Sequence, residues 1–330
     1  MAATLGARGD RSAVLDAVRA IACVMVFLAH ASEYDGDGAL IGLKNGVMLF
    51  FALSGYLLYR PFLRGPVDLR RYAVHRIARI VPAYVLALVG ISLLTGSRAF
   101  VDHPLTYLTF SQNYDAGLWQ GFLGVSWTLV LEVQFYLVLP VLALVVGRSA
   151  PRLLAVAILS FVGAMSAWTW ALLSGMDPRL ISSLFPFMLW AFIPGMLAAL
   201  LERPRLGHPV VLAVGIILLA VGTRSLWIST DLASGLGAGL VVVWAAARRP
   251  NLGRLVPVAT AGAALTYAAY LWHADLLMLT PNVAVAVAAT LAVASVSYLV
   301  VERPILRWAS LRPTPAHRTA EVAPAAVAPS

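Results

Sequence analysis

Arg19 and His30 lie in a segment, Val14 to Ala31, that is otherwise apolar enough to span a bilayer. A charge near mid-membrane costs roughly 2.5–3.5 kcal/mol on insertion scales, so residues of this kind face a bundle interior and act on a substrate, ion or proton. Eleven residues of α-helix advance about 16 Å and return to within about 20° of the starting direction. The two side chains therefore share one face at two depths. Glu132 is a third candidate, about ten residues into an apolar run that also holds Trp127 and Tyr136, at a depth comparable with His30. It could orient His30 and raise its basicity for general-base catalysis. It could equally form a structural ion pair with Arg19, and the two roles do not exclude each other.

A second group of residues is basic. Arg70, Arg71, Arg76 and Arg79 precede or open the third apolar run, with Arg76 and Arg79 one helical turn apart. Such a cluster either anchors a loop on the cytoplasmic side or grips phosphate oxygens bidentately, and Pro82 could bend the helix so that the arginines face the bundle. Glu302, near the end of the last run, could answer Arg76 or Arg79. Tyr267, Tyr270, Trp272, His273 and Asp275 cluster near one end of the ninth run, where an aromatic belt accounts for the Tyr and Trp residues. In the second run, Ser54 and Gly55 form a small step that permits close helix approach. There is no P-loop, Rossmann glycine pattern or metal-ligand spacing, and the six histidines are too dispersed to suggest zinc.

These side chains need helices in lipid to position them. The chain has 330 residues, 61% hydrophobic and 12% charged, with a mean hydropathy of +0.85, against about 25% charged in soluble domains. The single cysteine, Cys23, permits no intramolecular disulfide. Apolar runs occur at 13–31, 43–59, 80–96, 122–146, 153–174, 184–201, 210–228, 234–247, 257–279 and 283–302. With alternate crossings, 19 basic residues fall on one side, and Lys44, Arg98, Arg179 and Arg224 on the other. The expected fold is all-α, a polytopic bundle of about ten transmembrane helices in the cell membrane with both termini cytoplasmic. The net charge of +9 follows from this topology and not from nucleic-acid binding. Residues 1–308 form the membrane domain, and 309–330, rich in Ala and Pro, form a disordered cytoplasmic tail. The gap from Ser97 to Gly121 is the longest external one and could line the mouth of a site.

Six short motifs occur in order along the chain: LDAVRAIACVMVFLAH, carrying Arg19 and His30; FFALSGYLL from Phe50; RIARIVPAY from Arg76; SWTLVLEVQFY from Ser126; YLWH from Tyr270; and SYLVVERP, ending at Pro304. Together they resemble the bacterial membrane acyltransferase-3 family over nearly the whole chain. Many of its members have proline where Asp275 stands. The resemblance implies transfer of an acyl group, commonly acetyl from acetyl-CoA, to a hydroxyl of a glycan or small molecule, with no metal. It implies that Arg76 and Arg79 hold the phosphates of the acyl-CoA donor, that His30 serves the transfer centre with Glu132 nearby, and that Arg19 lines the route between. The competing function is a transporter in which Arg19, His30 and Glu132 relay protons.

Overall fold

The computed structural model describes residues 13–222, 231–248 and 250–311, and among these there are helices and turns but no strand. Ten apolar helices follow one another: α1 (Ala13–Tyr34), α2 (Gly46–Arg64), α3 (Leu69–Thr95), α4 (Trp127–Val146), α5 (Ala150–Leu173), α6 (Phe185–Leu200), α7 (Pro209–Gly222), α8 (Leu232–Arg248), α9 (Val256–Leu279) and α10 (Val283–Leu311). Seven are long and apolar enough to cross a membrane, whereas α6, α7 and α8 are shorter. The expected runs all fall on these helices. Positions 223–228 of the seventh run lie outside the described residues, as do Arg8, Arg11, Arg224, Arg249 and 312–330 of the expected tail. Residues 309–311 are the last turn of α10.

Two helices differ in shape from the hydropathy reading. α3 begins eleven residues before the apolar run, because the Asp68 side chain caps its first turn by accepting from the Arg71 amide at 3.0 Å. All four arginines of the basic cluster therefore ride on α3. α6 is broken into Phe185–Met188, a 3-10 segment Leu189–Phe192 and Ile193–Leu200. Pro186 and Pro194, each in the first turn of its α-helical piece, cannot donate a backbone hydrogen bond to what precedes them.

The contacts give the relative directions of the helices. Cys23, His30 and Tyr34 on α1 meet Thr266, His273 and Thr280 on or at the end of α9, so these two helices run parallel. Ile80 meets Tyr267, and Gly90 meets Trp272, so α3 also runs parallel to α9. α7 and α8 are antiparallel, with Gly215 against Val241 and Gly222 against Ser234. α2 and α6 touch backbone to backbone: a β-carbon on Gly55 would run into the Phe192 carbonyl, and one on Gly195 into that of Ala52. Phe192 fills the space beside this crossing, stacked on Phe135 at 4.2 Å and against Phe51 at 4.7 Å.

One end of the bundle is closed by the stretch from Ser97 to Gly121. It folds into the short helices Ala99–Asp102 and Pro104–Leu108 and a 3-10 turn at Gln112–Tyr114, with Tyr107, Gln112 and Asn113 buried. Gln112 Nε2 donates to Tyr84 Oη and to Ser126 Oγ, both at 3.1 Å, and Asn113 Nδ2 donates to the Trp127 carbonyl at 2.9 Å. Burial, reinforced by the Asp115 carboxylate, pushes the Tyr107 hydroxyl above its ordinary pKa. At the same end, Asn45 Nδ2 donates to the Asp231 carboxylate and, at 3.0 Å, to Ser234 Oγ, tying the start of α8 to the start of α2.

The α2–α6 crossing leaves no room for growth, because the obstacle is backbone and not a side chain that can turn away. Gly195→Leu is expected to destabilise the protein by at least about 3 kcal/mol, the upper end of overpacking costs. Gly124→Ala, whose added carbon meets nothing within 4 Å, is expected to change stability little. Thermal unfolding of both variants in detergent checks this, and equal midpoints would show that the crossing is not tight.

Candidate active site

Four of the sequence-predicted residues, His30, Glu132, Arg76 and Arg79, lie along a column of polar side chains between α1, α2, α3, α4, α9 and α10. At one end His30 Nδ1 lies 3.0 Å from His273 Nε2, and His273 Nδ1 lies 2.8 Å from the Tyr270 carbonyl. His273 is buried, at 2% exposure, packed against the rings of Phe27 and Tyr270, while His30 is only half-buried. Asp275, beyond His273 on α9, has a buried carboxylate oxygen with no hydrogen-bond partner among the described residues.

Going along α9 away from His273, Tyr270 shares a 2.7 Å hydrogen bond with Thr128 of α4. One turn further along α4, Glu132 accepts from Ser54 Oγ at 2.9 Å and from Tyr136 Oη at 2.5 Å. The Arg76 guanidinium sits over the rings of Tyr136, at 5.5 Å, and Tyr72, at 5.9 Å, with its Nε buried and without a hydrogen-bond partner among the described residues. Local sequence explains this placement. Pro140 has no N–H to give the Tyr136 carbonyl one turn back, and Tyr72 Oη donates to that carbonyl instead, at 3.1 Å. The tyrosine that fills a gap in α4 thus also forms one wall for Arg76.

At the far end Arg79 pairs with Glu302 at 3.4 Å and lies over the Tyr267 ring at 5.5 Å. Glu302 is fully buried and closes a π-helical turn, Ser297–Glu302, within α10. Tyr267 Oη donates to the Ile80 carbonyl at 2.9 Å, which fixes α3 against α9. Tyr267 and His273 are six residues apart on α9, so the arginine level and the histidine level are separated by about 9 Å along the helix axis.

Several sequence expectations find definite geometry here. Glu302 answers Arg79, as its position suggested. Glu132 is bonded to Ser54 and Tyr136, whereas the hydrogen bond of His30 goes to His273. Arg19 is half-buried on α1, one turn before Cys23 on the side that meets α9. The aromatic residues of α9 are not a lipid-facing belt. Trp272 packs on Gly90, and Tyr267, Tyr270 and His273 all bond inward. Among the described residues no three His, Cys, Asp or Glu side chains converge as a metal site would require.

The family model for the acyltransferase domain, type 3, matches residues 13–302, which takes in the whole column. The chain belongs to the acyltransferase-3 family. A protein of Komagataeibacter xylinus named as a membrane-bound transacylase, BcsY, is 29% identical over 291 residues, 80% of this chain and 72% of the relative. Nodulation protein 10 of Rhizobium leguminosarum bv. viciae is 27% identical over 355 residues, 88% of this chain and 92% of that one. A protein named as an O-acetyltransferase in Staphylococcus aureus strain COL is 26% identical over 148 residues, 39% of this chain and 24% of its own length. No solved structure matches the chain. This acyltransferase-3 chain is a multi-pass membrane protein whose family carries out acyl transfer.

The Arg79–Glu302 pair allows a clean test of the far end of the column. Arg79→Met leaves a buried carboxylate without its cation, an event that costs about 3–5 kcal/mol. Adding Glu302→Leu removes the stranded charge and is expected to restore most of the stability without restoring activity. Unfolding in detergent measures the first effect and acyl-transfer assays the second. If the single and double variants are equally unstable, the loss does not come from a stranded Glu302 charge, and if the single variant is as stable as the wild type, the pair contributes nothing to folding.

Proposed function

We propose that the chain is an integral membrane O-acyltransferase that moves an acyl group, most simply acetyl, from acyl-CoA to a hydroxyl of a glycan or small-molecule acceptor. The observation that carries this reading is the column itself. It joins a cage of arginine and tyrosine side chains at one end to a hydrogen-bonded histidine pair about 9 Å along α9 from it, within a family that transfers acyl groups. Arg76 and Arg79 hold the donor's phosphates, for which a guanidinium with an unpartnered Nε offers a ready donor. The acyl-bearing arm extends along the column past Glu132 to His30, with Arg19 beside the route.

In this mechanism His30 takes the proton of the acceptor hydroxyl as its oxygen attacks the thioester carbonyl. A carbon–oxygen bond forms, the carbon–sulfur bond breaks, and the imidazolium returns its proton to the departing thiolate. The partly open position of His30 and the deep burial of His273 suit this division, since one ring must reach the reactants and the other need not. Glu132 is held by two hydroxyls and keeps the wall of the column in place.

Ten crossings with both termini in the cytoplasm fit this chemistry, because they put the arginine end on the side where acyl-CoA is made. The parallel run of α1 and α9 supports an even total, eight or ten. Seven crossings alone make α9 the sixth and hence antiparallel to α1, so one or all three of the shorter helices must also cross. Reporters active only in the cytoplasm, fused in turn to each terminus, are expected to be active at both; activity at one end alone would require an odd number of crossings.

Purified protein in liposomes, given labelled acetyl-CoA and a panel of hydroxylated acceptors, is expected to release CoA and label an acceptor. His30→Ala should abolish this. Arg76→Ala with Arg79→Ala should raise KM for acetyl-CoA at least tenfold while leaving KM for the acceptor within about twofold. Binding without turnover in every acceptor tested would point to the wrong acceptor class. Proton-coupled uptake of a solute without any consumption of acetyl-CoA would replace this reading with transport.

A further inference from the structure

We infer that His273 is a positioning residue that holds His30 in the tautomer protonated on Nδ1, so that Nε2 of His30 is the reacting nitrogen. This rests on the acyl-transfer reading for its consequence, but the tautomer is fixed by geometry alone. A carbonyl oxygen accepts and never donates, so the 2.8 Å contact between His273 Nδ1 and the Tyr270 carbonyl requires the proton to be on His273 Nδ1. In a neutral imidazole the other nitrogen then carries a lone pair. That nitrogen, His273 Nε2, lies 3.0 Å from His30 Nδ1, a hydrogen-bond distance that needs one hydrogen between them. The hydrogen is therefore on His30 Nδ1, and Nε2 is left bare.

The neutral state of the pair follows from its surroundings. His273 is 2% exposed, and its hydrogen bonds go to an imidazole and a backbone carbonyl, with no carboxylate among them. A resting imidazolium there would be a buried charge without compensation. Histidines that act as bases or metal ligands are commonly held through their second nitrogen by a carboxylate or a carbonyl. Here that holding is done in two steps, carbonyl to imidazole to imidazole, and the rings of Phe27 and Tyr270, at 5.9 and 5.6 Å from His273, keep it from turning.

The chemical consequence is specific. When His30 Nε2 takes the acceptor's proton, the new positive charge is shared through Nδ1–H with the lone pair of His273. Without His273, the Val26 carbonyl one turn back is left as the acceptor for the His30 ring, and the proton is free to move to Nε2, where it blocks attack. Loss of the orienting partner in a hydrolase triad lowers kcat by about 10⁴ through the wrong tautomer.

Two measurements on the full-length protein in liposomes test this. Solid-state NMR with ¹⁵N-labelled histidine, assigned by difference against His30→Gln, is expected to show His30 with a protonated Nδ1 and an unprotonated Nε2. The reverse pattern overturns the inference whether or not the protein turns over acetyl-CoA. In the transfer assay His273→Ala is expected to lower kcat by roughly 10²–10⁴-fold with KM for acetyl-CoA within about twofold. His273→Gln, whose Oε1 can accept from His30 Nδ1–H, is expected to recover at least tenfold of that loss. A wild-type kcat for His273→Ala, or equal activity of the Ala and Gln variants, also overturns it. If the wild type transfers nothing from any acyl-CoA, the enzymatic reading fails while the NMR result still decides the tautomer.

Discussion

In the hydrocarbon of a bilayer a polar group has no water to turn to, and each one left without a partner costs several kcal/mol. The architecture of this chain follows from meeting that constraint across helices. Ser54 of α2 and Tyr136 of α4 satisfy Glu132, Thr128 of α4 meets Tyr270 of α9, and Glu302 of α10 meets Arg79 of α3. Apart from Tyr136–Glu132, which spans one turn of α4, each bond ties two parts of the chain distant in sequence. The polar column is therefore also the framework that holds the surrounding helices in register. Where α4 gives up one of its own backbone bonds at Pro140, the carbonyl is taken up by Tyr72 of α3, so even a local defect becomes an inter-helix bond.

The same constraint explains what a linear reading of the chain can and cannot reveal. Apolar runs are set by what faces lipid, and lipid is the same everywhere, so the ten runs and the helices on them are legible from composition. Cost is also legible: Arg19, His30, Glu132, Arg76, Arg79 and Glu302 stand out because apolar neighbours make them expensive. Glu302 could be matched with the basic cluster because, with alternating crossings, the start of the third run and the end of the last fall on the same side of the membrane. His273 is 243 positions from His30, and nothing in the spacing of either helix says that they meet. Helical periodicity shows which residues share a face, but not which face of another helix it will touch.

The remaining differences have local causes. Hydropathy places the start of α3 where the apolar residues begin, but a helix begins where its first amides are capped, and Asp68 caps them eleven residues earlier. The aromatic residues of α9 resemble an interfacial belt because their types are those of a belt. Their inward direction is decided by partners on α3 and α4, such as Ile80 and Thr128. A signal for His273 was available in its YLWH surroundings, but a histidine close to the end of a span can equally belong to interfacial water.

The π-helical turn at Ser297–Glu302 sets a direction as well as a length. Such turns hold one residue more than an α-helix of the same height requires, and they concentrate at functional sites. Each residue of α-helix turns the chain by about 100°. Wound as regular α-helix from Val283 onward, the same residues would bring Glu302 about that angle further round, away from Arg79. The wide turn absorbs the extra residue, so it is what aims Glu302 into the interior. Taking out one position between 297 and 301 would leave α10 regularly wound with Glu302 still facing inward, whereas adding one would need a second wide turn to keep that aim.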